Sequence, residues 1–153
     1  MGVRDRLQEL GIELPPPPKP VASYVPVVVS GGFAFVAGQV AMAEGTVQSP
    51  GKLGVEVSVG EGQAAARRCA LQALAALEEE LGDLDRVTRI VQVTVFVASG
   101  EGFTDQPKVA NGASDVLVEV FGDAGRHARA AVGVAELPLG GPVEVAVIAR
   151  VGE

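Results

Sequence analysis

Residues 126–151 read RHARAAVGVAELPLGGPVEVAVIARV, two apolar runs rich in Val and Ala on either side of a Pro/Gly stretch. The branched residues favour strands for both runs, and Pro138 to Pro142 favour a turn between them. Arg129 enters the first run and Glu144 stands inside the second. A charge in a half-buried strand is costly unless it is paired or faces a wet cleft. Two roles are therefore open for Arg129. One is a structural ion pair with Glu144 across adjacent antiparallel strands, and the other is a bound anion. The planar guanidinium fork matches a carboxylate at two points. The stretch points to a site for a small carboxylate-bearing molecule, with Arg129 as its anchor.

Working back from there, Gln106 to Phe121 carries apolar residues at helical spacing, with Val109, Val116, Leu117 and Val120 toward a core. Before it, residues 87–98 (VTRIVQVTVFVA) are β-branched almost throughout and predict a central strand. Residues 61–81 form the clearest helix, Ala-rich, with Ala65, Cys69, Leu74, Leu77 and Leu81 on one side and Gly82 ending it. A short strand is expected at Val55–Val59 and a long loop from Ala43 to Gly54, with Gln39 and Lys52 as loop residues at its borders. Phe33–Ala37 and residues 24–29 (YVPVVV) predict a hairpin turned by Ser30-Gly31-Gly32. Residues 3–10 predict a helix with Gly11 past its end. Pro15 to Pro18 and Pro20 predict a stiff extended strap.

The expected order is β-β-β-α-β-α-β-β, an α+β fold with a mixed sheet and two helices on one face. The last two strands are apolar enough to bury the other face as well. One chain has nothing left to cover it, which predicts a homo-oligomer packing sheet against sheet. The division expected is an N-terminal helix and strap over 1–21 and a single domain over 22–153.

Composition narrows the function classes. The net charge is −7 and the sequence pI about 4.7, with basic residues scattered as Arg67/Arg68, Arg86/Arg89 and Arg126/Arg129. That disfavours nucleic acid as a partner, because a phosphate backbone rewards clustered Lys and Arg. No segment has the layout of a signal peptide, and no apolar run is long enough to span a bilayer. A single cysteine, Cys69, permits no internal disulfide, fits a reducing cytoplasm, and reads as a buried small apolar residue. One His and one Cys cannot assemble a His/Cys zinc cluster in one chain, so no metal is expected.

The order of motifs resembles the Rid (reactive intermediate deaminase), or YjgF-like, family. The resemblance covers roughly residues 22–151 and rests on ARAAVGVAELP at 128–138 followed by Val143-Glu144-Val145. Ser23-Tyr24, Val36-Ala37-Gly38-Gln39, Val93 to Val97, Phe103 and Asn111 support it. The N-terminal 20 residues resemble those of a longer branch of the family. The resemblance implies a chorismate-mutase-like fold, a trimer whose sheets face a central core, and a cleft between each pair of subunits. It also implies hydrolysis of reactive 2-enamine or 2-imino acids to 2-keto acids and ammonia, with no cofactor. Carried over residue by residue, Arg129 grips the substrate carboxylate and Glu144 positions or activates water. Tyr24 walls the pocket, Asn111 lines it from the second helix, and Gly38 lies in the turn approaching it. Phe103 is either a pocket wall or plain core. His127, the single histidine, is a turn residue bonded to backbone or a ligand contact. Three positions depart from the family pattern. Ala37 stands where many members carry Ser, Ala130 where Ser is common, and Ala131 where many carry Cys. The pocket expected is less polar, which leaves open an alternative: a protein that binds a small carboxylate without turning it over. An endoribonuclease activity is the least favoured reading.

Overall fold

A computed structural model describes residues 1–19 and 23–153. Helix α1 (Val3–Glu9) leads, followed by β1 (Val27–Ser30), β2 (Phe33–Val40), β3 (Met42–Ala43), β4 (Thr46–Val47), α2 (Val59–Leu81), β5 (Val87–Ala98), α3 (Gln106–Phe121), β6 (Ala128–Val134) and β7 (Val143–Val151). Five strands form one mixed sheet in the order β1-β2-β7-β5-β6. Helices α2 and α3 pack together on one face of it. The expected boundary between 1–21 and 22–153, like Pro20, falls on residues 20–22, outside the described residues.

Local chemistry explains the elements. Ser58 starts α2: its hydroxyl accepts from the Glu61 amide at 3.1 Å, and the Glu61 carboxylate accepts from the Ser58 amide at 3.0 Å. This reciprocal cap begins the helix two residues earlier than periodicity predicts. It also removes the strand expected over 55–59, where the chain turns instead, joined to its neighbours by single bridges at Leu53 and Val57. The loop expected from Ala43 holds the small hairpin β3–β4. Gly82 closes α2 in the left-handed conformation, at φ 82°. The strand expected over 24–29 begins only at Val27, because Pro26 lacks the amide a ladder needs.

The largest difference concerns the last two strands. They do not pair with each other. Strand β6 lies parallel to β5, with α3 as the crossover between them, whereas β7 inserts antiparallel between β5 and β2. The structural ion pair between Arg129 and Glu144 is therefore ruled out: β5 separates the two strands.

Alternate residues of the sheet point toward the helices. Ala34, Val36, Val93, Val95, Val145 and Val147 are buried there, with Leu74, Leu77 and Leu117 from α2 and α3. Leu7 brings α1 into the same core at 1% exposure. Cys69 is buried too, and its Sγ lies 3.6 Å from the Val143 carbonyl. The other face is open. Val28, Phe33, Phe35 and Val132 on it are between 37% and 49% exposed, so nothing among the described residues covers these large apolar groups.

Candidate functional site

Arg129 sits on β6 in register with Val93. Val93 faces the helices, so Arg129 does as well, and its side chain spans to α3. One nitrogen, Nη1, donates to Asn111 Oδ1 at 2.9 Å and to Ser114 Oγ at 3.1 Å. Asn111 and Ser114 are three residues apart on α3 and so share a helix face. His127 completes the series. Its Nδ1 lies 2.6 Å from the Gly125 carbonyl, and its Nε2 lies 2.8 Å from Ser114 Oγ. A carbonyl only accepts, so Nδ1 carries the proton. In the neutral ring Nε2 then accepts from the Ser114 hydroxyl, whose oxygen accepts from Arg129. The guanidinium is thus aimed by a chain of donors and acceptors anchored on backbone. Its Nε and Nη2 have no partner among the described residues, and Arg129 is exposed. That free edge has the geometry for a two-point carboxylate contact.

Glu144 occupies a different place. It lies on β7 between buried Val143 and Val145, so it points to the open face, beside its register partners Val40 and Phe96. The register of β2 against β7 shifts between Val36 and Gln39, and this bulge brings Gly38 over the carboxylate. A Cβ at Gly38 would fall 2.2 Å from Glu144 Oε2, so a larger residue there would push the carboxylate aside. Glu144 is half-buried, and burial raises its pKa above the ordinary carboxylate range.

The other expected site residues are dispersed. Tyr24 is 54% exposed and precedes β1, at the sheet edge opposite β6; four strand spacings make that about 19 Å. Phe103 is half-buried, packs on the core, and covers Gly54, where a Cβ would meet it at 3.1 Å. Asn111 joins Arg129 directly. His127 joins it through Ser114, a residue sequence reasoning missed; its position one helical turn after Asn111 was the available signal. Gln39 is no loop residue. It lies within β2, 6% exposed, and accepts from Gln72 Nε2 at 3.4 Å while donating to the Ala37 carbonyl at 3.0 Å. Lys52 does lie outside any strand or helix and pairs with Glu136 at 2.9 Å.

The expected site residues therefore fall into separate groups within one chain. Arg129, Asn111, Ser114 and His127 lie at the β6 edge on the helix side. Glu144 and Gly38 lie on the open face, and Tyr24 near the far edge. Among the described residues no three His, Cys, Asp or Glu side chains converge in a way that could hold a metal. No described helix is long and apolar enough to cross a membrane.

Known proteins share this arrangement of elements. Residues 4–151 match the profile of the family described as "YjgF/chorismate_mutase-like, putative endoribonuclease". Protein TCP17 of Trypanosoma cruzi is 51% identical over 144 residues, 94% of this chain and 90% of that protein. The crystal structure of Atu1372 of Agrobacterium tumefaciens, of unknown function, is 41% identical with a TM-score of 0.89, covering 97% of this chain and 91% of that one. A Shewanella oneidensis protein described as a "putative endoribonuclease" is 32% identical with a TM-score of 0.94, covering 99% and 100%. With the mixed sheet, the two-helix layer and the Arg129 and Glu144 strands in place, the chain belongs to the YjgF/chorismate mutase-like family.

Proposed function

We propose that this protein hydrolyses 2-imino acids and their enamine tautomers to 2-keto acids and ammonia. The observation that carries the reading is the oriented, half-engaged guanidinium of Arg129, with its Nε–Nη2 edge free for a carboxylate. Held there, the substrate presents its C=N carbon at a fixed distance, and orientation alone supplies several kcal/mol of catalysis. Water attacks the carbon of the protonated imine, the C=N electron pair moves to nitrogen, and the Glu144 carboxylate takes the proton released by the water. Glu144 returns this proton to the nitrogen of the carbinolamine. The C–N bond then breaks, and the hydroxyl proton leaves with ammonia as ammonium. A carboxylate whose pKa is raised by burial is a better base for the first step than an ordinary one. Imines of this kind need no metal or organic cofactor.

The Arg129 and Glu144 groups meet only if the β6 edge of one copy lies against the Gly38–Glu144 region of another. The uncovered apolar face supports such an assembly, and a homotrimer is the form we propose, acting in the cytoplasm. The experiment is ammonia release from imines generated in situ by an amino-acid oxidase, with the Arg129→Ala variant and buffer as controls. Acceleration by wild type alone supports the proposal; equal rates in all three reject it. Keto acids that raise the melting temperature without any imine turnover would instead establish a non-catalytic carboxylate-binding protein, a reading that Ala37 and Ala131 favour. Relatives described as endoribonucleases make RNA a required control substrate. The acidic chain predicts no cleavage after stringent repurification.

Two variants probe the separate halves. Ser114→Ala removes one acceptor from Arg129 and the link to His127, but leaves Asn111. KM is expected to rise about fivefold with kcat within about twofold, the size of one charge-assisted hydrogen bond partly replaced by water. An unchanged KM would show that the series has no part in aiming Arg129. For Glu144 the sign follows from its raised pKa. Between the ordinary carboxylate range and the raised value, the folded protein keeps a proton that the unfolded chain has released. Stability therefore falls as pH rises through that window. Glu144→Gln lacks the penalty. The variant should melt above wild type at pH 7, and the gap should close as the pH is lowered to about 4. Its imine turnover should drop about 10²-fold. A gap that stays constant from pH 4 to 7 would show that Glu144 carries no raised pKa.

A further inference from the structure

Away from the Arg129 site, Arg89 of β5 and Arg150 of β7 stand as direct register partners. Phe33 of β2 is the partner of Arg150 on its other side. The adjacent pair, Ile90 and Ala149, is fully buried toward the helices, so both guanidinium groups rise from the open face. Like charges directly opposite on neighbouring strands repel. Neither arginine forms an ion pair among the described residues, in a chain whose net charge is −7. Glu144, the acidic group on the same face of β7, is six residues away, about 20 Å along the strand. Arg89 is nonetheless held in place: Nη2 donates to the Arg126 carbonyl at 2.7 Å. Phe33, Arg89, Val91, Arg150 and Gly152 line an open groove of about 660 Å³.

We propose that this groove is a binding site for a compact oxyanion with two negative charges, a phosphate group or a short dicarboxylate. Opposed residues on adjacent strands have their Cα atoms about 5 Å apart, which lets two guanidinium groups close on one tetrahedral anion or on two nearby carboxylates. A monoanion leaves one positive charge uncompensated. The apolar flank of Phe33 and Val91 lowers the local polarity and strengthens the attraction. Packing of the open face against other copies takes both cations out of water and makes the counter-charge more necessary.

The test titrates the full chain with sodium phosphate in one arm and malonate in another, at constant ionic strength with chloride as reference. Melting temperature and calorimetric binding are read in wild type, Arg89→Gln, Arg150→Gln and Arg129→Gln. One or both dianions should raise the wild-type melting temperature above the chloride reference. Either open-face variant should bind at least tenfold more weakly. Arg129→Gln should retain the effect, which separates this groove from the carboxylate site. The arm that responds identifies phosphate or dicarboxylate chemistry. No rise in wild type, an undiminished rise in both open-face variants, or its loss in Arg129→Gln would overturn the proposal.

Discussion

Arg129→Ala should lower kcat/KM for imine hydrolysis by about 10²–10³-fold while moving the melting temperature by no more than about 2 °C. The two expectations have separate physical grounds. Losing a two-point guanidinium–carboxylate contact, together with the alignment it imposes, removes about 3–4 kcal/mol of transition-state stabilisation, at 1.36 kcal/mol per tenfold. The fold loses little. Arg129 is exposed on an edge strand, and its partners Asn111 and Ser114 can turn to water when the guanidinium is gone. Arg129→Lys keeps the charge but lacks the planar fork, and should recover only about a tenth of the wild-type kcat/KM. Comparing kcat/KM with melting curves on the same preparations decides the matter. A variant that keeps more than a third of wild-type turnover would remove Arg129 from the reaction.

Gly112→Ala is expected to be the most damaging small change in the fold. Gly112 lies on α3 where it crosses α2, and an added Cβ would sit 2.0 Å from the Gln63 carbonyl oxygen and 2.9 Å from its Cα. Those atoms are backbone, so no side chain can swing aside; the helices must separate. Alanine favours the helix by up to about 1 kcal/mol over glycine. Overpacking of a tight contact costs about 3 kcal/mol or more. The net loss of about 2–3 kcal/mol corresponds to a melting temperature lower by roughly 4–12 °C for a chain of this length. Calorimetry checks it, and a variant at least as stable as wild type would mean that the two helices are not in close contact at this point.

Much of the fold was legible because its signals are local. The spacing of Val109, Val116 and Leu117 placed α3 at its observed ends, and Gly82 stopped α2 where φ turns positive. The β-branched run over 87–98 reads as a central strand, and it has neighbours on both sides. What escaped depends on partners distant in sequence. Nothing within 126–151 says that its two strands are separated by β5. That order arises because α3 carries β6 across to a parallel position. The apolar character of Val55 and Val57 resembled a strand, but Ser58 and Glu61 had already committed the chain to a helix. Gln39 reads as a loop residue in the sequence because its partner, Gln72, lies 33 residues away on α2. At the site, Arg129 and Asn111 were legible. Ser114 was not, since a serine inside a helix carries no mark of what it faces until the strand opposite is known.

The position of β7 bears on how the molecule is made. Last of the strands in chain order, it occupies the middle of the sheet, between β2 and β5. Until it arrives, β1–β2 and β5–β6 are two separate ribbons, each with a bare inner edge of unpaired amides and carbonyls. Neither ribbon can be expected to persist alone in water. A chain extended only as far as β6 therefore holds the two ribbons without the strand that joins them. Assembly then awaits one late insertion of a nine-residue segment, a topology that favours slow, all-or-none maturation and exposes the incomplete chain to chaperones.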